Sequence, residues 1–120
     1  MTETRYTATT IDHFQQPRNV GRLQAADGFG RVDDASTDTM VEIYLKLRAG
    51  TVVQATFRTF GCSACIAASS MATELLIGRT AESPLSAPEL DLALGGLPED
   101  KRYCAEVVAQ ATGQALSSAR

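Results

Sequence analysis

Hydrophobic and polar residues alternate along two neighbouring stretches of the chain. In residues 40–47 every second position is valine, isoleucine or leucine, which is the period-2 pattern of a strand with one buried face. The same alternation runs through residues 53–57, and Ala49 with Gly50 between the two stretches suits a tight turn. The pattern therefore predicts an antiparallel hairpin, with a further edge strand around residues 29–34.

Four other segments have the spacing or the end signals of helices. Residues 7–16 are followed by Pro17, which cannot continue a helix. Residues 62–77 are rich in alanine, serine, methionine and leucine and contain neither glycine nor proline. Residues 86–94 open on a serine with a glutamate three positions later, which resembles a capping box. Residues 103–118 carry apolar side chains at spacings of three and four.

The order of these elements predicts an α+β fold. One helix, about three strands and then three helices give a small antiparallel sheet with helices packed on one face. A chain of 120 residues has the length of one domain, so residues 1–120 are expected to form a single unit. The hydrophobic share of 44% and the charged share of 21% are ordinary for globular proteins, which argues against wholesale disorder.

Charge and hydropathy exclude two classes of partner. Eleven Lys and Arg against 14 Asp and Glu give a net charge of -3, and no basic block is present, so a nucleic-acid partner is not expected. No apolar run reaches the roughly 20 residues of a membrane span, and residues 1–10 lack the apolar centre of a secretory signal. We therefore expect no membrane association and a cytoplasmic location, where the three cysteines stay reduced.

The placement of the cysteines supplies the candidate chemistry. Cys62 falls where the second hairpin strand gives way to the long helix, and Cys104 falls at the start of the last helix. Helix N-termini favour thiolates, which are nucleophiles and metal ligands. Cys65, three residues after Cys62, could share a metal with it or form a redox pair. The alternative interpretation is that all three are small buried hydrophobic residues.

Of the roles considered for the C-x-x-C pair, a thioredoxin-like redox role is the least expected. Such a role requires a βαβ unit, whereas the segment before Cys62 is predicted to be a hairpin. Zinc sites, for their part, usually pair two such motifs, and only one occurs here.

Short motifs along the chain also share their order and spacing with a known family. They are Ile11-Asp12-His13-Phe14, Pro17-Arg18-Asn19-Val20-Gly21, Phe57-Arg58-Thr59-Phe60-Gly61-Cys62, Ile66-Ala67, Ser69-Ser70, Thr73-Glu74, Gly78, Leu97-Pro98, Lys101 and Cys104. With these motifs the chain resembles the NifU-like, IscU-type iron-sulfur cluster assembly scaffolds over nearly its whole length.

The resemblance implies a cargo and partners. Members of this family hold a [2Fe-2S] cluster, or zinc in its place, between three cysteines and an aspartate or histidine. They take the sulfur from a cysteine desulfurase. Two of the family's cysteines match Cys62 and Cys104. The expected partners are therefore a cysteine desulfurase and apo iron-sulfur acceptor proteins.

Several positions depart from the family's pattern. Ser36 stands where the family has its first cysteine, and Tyr103 stands where a histidine precedes the last one. Asp38 matches the family's aspartate, which helps set the lability of the cluster. Residues 97–101 read Leu-Pro-Glu-Asp-Lys in place of the chaperone motif Leu-Pro-Pro-Val-Lys. The loss of the apolar middle argues against recruitment of an Hsp70-type chaperone.

The lost cysteine leads to a hypothesis about the ligands. A neutral serine hydroxyl is a poor iron ligand, so the site needs another sulfur. Cys65 can supply it, because a residue three positions on in a first helical turn lies on the same face as Cys62. We expect Asp38, Cys62, Cys65 and Cys104 to form a site of three sulfurs and one oxygen. Such a site suits tetrahedral Zn(II) and could also hold a [2Fe-2S] cluster, so the metal stays open.

The leading interpretation is a scaffold or carrier that builds or transfers a [2Fe-2S] cluster, rather than an enzyme acting on an organic substrate. One alternative is a zinc-bound sulfur acceptor of the sulfurtransferase type. Family members of that kind carry an insertion between the central helix and the last cysteine, and residues 78–104 are too short to hold it comfortably. Another alternative is an interaction or regulatory module that has lost the cluster.

Other polar residues have simpler interpretations. His13 is expected to cap or pack the first helix rather than to reach a metal. Asp38 could also be a solvated turn residue. Ser36 could bind nothing, and Tyr103 is expected to pack, with its hydroxyl near the metal as the alternative.

Overall fold

A computed structural model describes residues 5–119 of the chain. The elements in chain order are α1 (Ala8–Gln15), β1 (Gly28–Asp34), β2 (Thr39–Arg48), β3 (Thr51–Phe60), α2 (Ser63–Leu76), α3 (Ala87–Ala93), a 3-10 turn (Glu99–Lys101) and α4 (Tyr103–Ser118). The predicted α+β fold is confirmed, and each expected helix and strand is present within about three residues of its expected bounds.

The three strands form one antiparallel sheet in the order β1-β2-β3. Ala49 and Gly50 join β2 to β3, and their φ angles of 52° and 80° are the paired positive values of a type I′ turn. The register places Arg31, Glu42 and Arg58 side by side across the sheet. The hairpin that the alternating pattern predicts is therefore present with the turn type that its twist favours.

The helices lie on one face of the sheet and build the core there. The helices α2 and α4 pack directly on the strands, and α1 and α3 pack against these two helices. Val41, Ile43 and Leu45 of β2 point into this layer and are fully buried. In residues 5–119 no helix is both long enough and apolar enough to cross a membrane.

The other face of β2 is more buried than its polar sequence suggests. The alternation predicts a solvated face, yet Glu42 is only 5% exposed and Tyr44 only 9%. The Glu42 carboxylate accepts hydrogen bonds from Arg31 Nη1 at 2.9 Å and from the Tyr44 hydroxyl at 2.9 Å. A buried carboxylate needs such partners, because an unpaired charge would lose its hydration without compensation.

Two glycines let α4 lie very close to β1. A Cβ atom at Gly30 would stand 2.1 Å from the carbonyl oxygen of Ala111, and one at Gly28 would stand 2.4 Å from that of Ala115. Both distances are shorter than any real contact of a Cβ atom with backbone. The glycines therefore set the position of α4, and with it the position of Cys104 near the helix start.

Both edges of the sheet are occupied. On the β1 edge, the N–H of Arg31 donates to Gln114 Oε1 and the N–H of Phe29 donates to Ser118 Oγ. On the β3 edge, the N–H of Phe57 donates to the carbonyl of Asn19. Side chains of α4 and the short segment around Val20 thus satisfy edge groups that strands leave free.

Candidate metal centre

Cys62 and Cys65 lie at the junction between β3 and α2. Cys62 is the N-cap residue of α2, with φ -77° and ψ 170°, and Cys65 is in the first turn. The two sulfur atoms are 3.7 Å apart. A Cβ atom added at Gly61 would stand 3.3 Å from Thr39 Cγ2 and 3.5 Å from Cys65 Cβ, so Thr39 and Cys65 both lie beside this glycine.

Cys104 joins this pair from a distant part of the chain. Its sulfur lies 3.6 Å from that of Cys62 and 2.7 Å from that of Cys65. All three sulfur atoms lie within 4.8 Å of one another. The packing of α4 against α2 thus places three thiols at the N-terminal ends of two helices.

The three thiols differ in exposure. Cys65 and Cys104 are fully buried, whereas Cys62 is only half-buried. Any partner or metal therefore reaches the group past Cys62, and the other two sulfurs lie behind it.

The thiols also differ in their tendency to ionise. Hydrogen bonds with Cys104 and then with Cys65 lower the pKa of Cys62 far below its ordinary value. The hydrogen bond with Cys104 lowers the pKa of Cys65, but the bond to Cys62 and burial outweigh it and raise that pKa to about 11. The bond to Cys62 is also the main cause of the raised pKa of Cys104. The negative charge of the group therefore resides on Cys62, at the positive end of α2.

Tyr103 lies at the open side of the thiols. Its hydroxyl is 3.7 Å from Cys62 Sγ, within hydrogen-bond reach of a sulfur acceptor. Burial is the largest cause that raises the pKa of Tyr103, so the phenol stays protonated and can donate to the Cys62 thiolate. Of the two interpretations of this residue, the structure thus favours a hydroxyl beside the thiol group.

Asp38 and Ser36 lie in the turn between β1 and β2 and are exposed. Among residues 5–119, the potential ligands within 4.8 Å of one another are the three cysteines, and Asp38 is not one of this set. Asp38 lines a groove of about 270 Å³ together with Asp33, Asp34 and Phe60. Asp38 directly precedes Thr39, whose side chain hydrogen-bonds to Cys65, so the aspartate is one residue away from a neighbour of the thiol group. Ser36 instead donates its hydroxyl to Asp34.

His13 takes part in a separate contact between α1 and α2. Its Nδ1 is 2.8 Å from Ser70 Oγ, and its Nε2 is 3.4 Å from a carboxylate oxygen of Glu74. The ring is 4% exposed, and burial is the main cause that lowers its pKa. His13 thus packs the first helix onto the central one, as expected from the sequence.

One neighbour of the site was not anticipated. Thr39 is buried against Cys65 and contributes a hydrogen bond that lowers the pKa of this thiol. The pairing of β2 with β3 could have indicated this neighbour. Because Met40 pairs with Phe60, the preceding residue Thr39 lies opposite Gly61, next to the cysteine pair.

The distances between the thiols allow a test of whether they fit a metal. A tetrahedral Zn(II) with Zn-S near 2.3 Å separates its sulfur ligands by about 3.8 Å. The separations of Cys62 from Cys65 and from Cys104 are 3.7 and 3.6 Å, which fit. The third separation, 2.7 Å, has to open by about 1 Å. Thiolate ligands suit zinc and iron-sulfur clusters alike.

The fold and the site together define a class: a small α+β domain that gathers thiols at the N-termini of two helices. Residues 5–119 match the family described as "NifU-like N terminal domain". The chain belongs to this family.

Two curated relatives are similar over most of their length. "Iron-sulfur cluster assembly scaffold protein IscU 1" of Archaeoglobus fulgidus is 42% identical over 113 residues, which cover 92% of this chain and 74% of that protein. "Iron-sulfur cluster assembly scaffold protein IscU" of Azotobacter vinelandii is 34% identical over 116 residues, which cover 92% of this chain and 91% of that protein.

Solved structures share the fold. A NifU-like protein (N-terminal) from Brucella abortus superposes with a TM-score of 0.74 at 18% identity, covering 95% of this chain and 93% of that one. A putative iron-sulfur cluster assembly scaffold protein for the SUF system from Fervidobacterium islandicum superposes with a TM-score of 0.64 at 18% identity. The superposition covers 99% of this chain and 98% of that one. At these identities the superpositions establish the architecture alone.

Proposed function

We propose that this chain is an iron-sulfur cluster assembly scaffold that receives sulfur and iron at Cys62, Cys65, Cys104 and Asp38 and passes on a [2Fe-2S] cluster as its cargo. The observation that supports this most is the group of three thiols, of which only Cys62 is open to solvent. The names of the relatives point to the same function.

The roles follow from exposure and charge. The Cys62 thiolate is the atom that a sulfur donor can reach, so it accepts the sulfur that a cysteine desulfurase delivers as a persulfide. Cys65 and Cys104 then complete a sulfur-lined site. Asp38, on the exposed turn between β1 and β2, supplies the oxygen ligand. Because a carboxylate holds iron less firmly than a thiolate, the cluster remains transferable to apo acceptor proteins.

Metal and sulfide content tests this function against its alternatives. The chain is purified without oxygen, loaded with ferrous iron, cysteine and a cysteine desulfurase, and desalted. We expect two irons and two acid-labile sulfides per chain, together with the absorption of a [2Fe-2S] cluster. One zinc without sulfide would instead identify a zinc-bound sulfur acceptor, which the near-tetrahedral sulfur separations also suit. Neither metal nor sulfide would identify an interaction module.

The role of Asp38 gives a separate prediction. Asp38 has a left-handed backbone with φ 54°, which asparagine tolerates as well as aspartate. We therefore expect Asp38→Asn to keep the turn. The neutral amide cannot serve as the exchangeable anionic ligand that leaves iron when an acceptor thiolate arrives, so the variant should transfer its cluster several-fold more slowly to an apo ferredoxin, measured by circular dichroism in the visible range. Ser36→Ala, in the same turn, is the matched control and should transfer like the parent. Equal transfer by Asp38→Asn would remove the aspartate from the mechanism.

A further inference from the structure

The C-x-x-C pair has a geometry that goes beyond metal binding. Cys62 caps α2 and Cys65 is in the first turn of the same helix, with the two sulfurs 3.7 Å apart. One is half-buried and the other is fully buried. An open thiol that receives sulfur therefore has a second thiol directly behind it.

We infer that Cys65 is a resolving thiol, which reduces the persulfide formed on Cys62 and releases its outer sulfur as sulfide. This inference rests on the proposed function, because it requires that Cys62 accept sulfur. It adds a step that supplies inorganic sulfide within the same site.

Atoms and electrons balance in this step between the persulfide and the Cys65 thiol. The Cys65 sulfur attacks the inner sulfur of the Cys62 persulfide, a Cys62–Cys65 disulfide forms, and the bond to the outer sulfur breaks. The outer sulfur leaves with the electron pair and takes up the protons of the thiol and the persulfide, so that hydrogen sulfide is released. The sulfane sulfur is reduced by two electrons, and the two cysteine sulfurs are oxidised to the disulfide. A dithiol reductant then restores both thiols.

The burial pattern decides which sulfur is attacked. The added sulfur extends from Cys62 toward solvent, since that is the side from which a donor can reach the thiol. Cys65 is fully buried and contacts Cys62 Sγ from the inside. The inner sulfur is therefore the atom within its reach, and attack there expels sulfide rather than moving the persulfide inward.

Local backbone geometry favours Cys65 over Cys104 as the attacking residue. The N–H groups of Cys65 and Ile66 both donate to the carbonyl of Cys62, at 3.0 and 3.2 Å, so the two cysteines share one tight helical turn. A disulfide between them needs no movement of one helix against another. Cys104 is on α4, so a disulfide between it and Cys62 would join two helices, although its sulfur lies 3.6 Å from that of Cys62.

The consequence is an ordered sequence of events at one site. While the disulfide is present, two of the three sulfurs are not available to a metal. Sulfide release therefore precedes metal loading, and a dithiol reductant separates the two.

The test uses inorganic polysulfide as the sulfur donor. The reduced, metal-free chain is exposed to polysulfide without oxygen, desalted at once, and followed by intact mass and by sulfide release. We expect the parent to become about 2 Da lighter than its reduced form and to release sulfide as it does so. Trypsin cuts after Arg58 and Arg79, so a Cys62–Cys65 disulfide lies within the single peptide 59–79.

Variants at position 65 separate the resolving role from sulfur acceptance. Cys65→Ala should retain the persulfide, about 32 Da heavier, and should release sulfide at least about tenfold more slowly. Cys65→Ser is prepared in parallel in case alanine disturbs folding, and far-ultraviolet circular dichroism checks both variants. Ser36→Ala, whose side chain is exposed and bonds to Asp34, is the matched control and should behave like the parent.

The outcomes distinguish this inference from the proposed function. A parent that keeps the added sulfur without releasing sulfide would overturn the resolving role and leave sulfur acceptance intact. A disulfide that joins peptide 59–79 to peptide 103–120 would overturn the resolving role of Cys65, because Cys104 would then be one of the bonded cysteines. Sulfide release by Cys65→Ala at the parent's rate would do the same. A parent whose mass does not change at all would overturn sulfur acceptance itself, and the inference with it.

Discussion

Cys104→Ser is expected to bind divalent metal more than about 100-fold less tightly than the parent. Substitutions of residues that only support the direct ligands already lower metal affinity by about 10- to 100-fold, so the loss of a direct ligand should lower it further. The Cys104 sulfur is the vertex that closes the triangle with Cys62 and Cys65, at 3.6 and 2.7 Å. A serine hydroxyl is a far weaker ligand for a metal that prefers sulfur. Only two sulfurs would then remain.

Cobalt(II) is the probe for this prediction, because its bond to thiolate gives an intense near-ultraviolet band and its tetrahedral complexes absorb strongly in the visible range. The reduced chain is titrated with cobalt alone, so that sulfur chemistry does not enter. Ser36→Ala is the control and should bind as the parent does, since its hydroxyl bonds to Asp34 and lies outside the thiol group. Binding by Cys104→Ser within about tenfold of the parent would show that Cys104 is not a ligand.

Gly30→Ala is expected to lower the free energy of unfolding by about 3 kcal/mol or more, at the upper end of what overpacking costs. The added methyl carbon would stand 2.1 Å from the carbonyl oxygen of Ala111 and 2.8 Å from the amide nitrogen of Ala115. Both neighbours are backbone atoms within α4, so neither can turn aside as a flexible side chain would. The helix has to move away from β1.

Gly113→Ala is the control, because it makes the same substitution on α4, the helix that Gly30 of β1 contacts. Apart from the adjacent backbone of α4 itself, no atom lies within 4 Å of a Cβ at Gly113, and alanine is the better helix former by about 1 kcal/mol. We expect this variant to be more stable than the parent, whereas Gly30→Ala is less stable. Urea unfolding of the metal-free chain, followed by far-ultraviolet circular dichroism, measures both. A loss of less than about 1 kcal/mol in Gly30→Ala would show that α4 can shift easily.

Most of the secondary structure could be predicted because its signals are local. The alternation in β2, the turn at Ala49 and Gly50, and the serine cap of α3 each depend on residues close together in the chain. The Ser86 side chain accepts from the N–H of Glu89 at 3.2 Å, as the capping pattern predicts. Such contacts need no knowledge of the tertiary fold.

The environment of the site was harder to predict because it depends on distant packing. No feature of the sequence around Cys104 indicates that its sulfur lies beside that of Cys62, 42 residues away. That proximity followed from the family resemblance, whereas the structure obtains it by packing α4 on α2 and on β1. The position of Asp38 outside the thiol set is likewise a property of the turn that holds it. The burial of Glu42 depends on Arg31 from the neighbouring strand.

The side chains that occupy the outer edge of β1 have a consequence for association between molecules. A strand edge with free amide and carbonyl groups is a template on which another chain can add a strand, the first step toward aggregation. Gln114 and Ser118 take up the amides of Arg31 and Phe29 at this edge, and the Ser118 hydroxyl also donates to the carbonyl of Phe29. The last helix thus occupies the groups of Phe29 and Arg31 on which a second molecule would otherwise add a strand to the three-stranded sheet of residues 5–119.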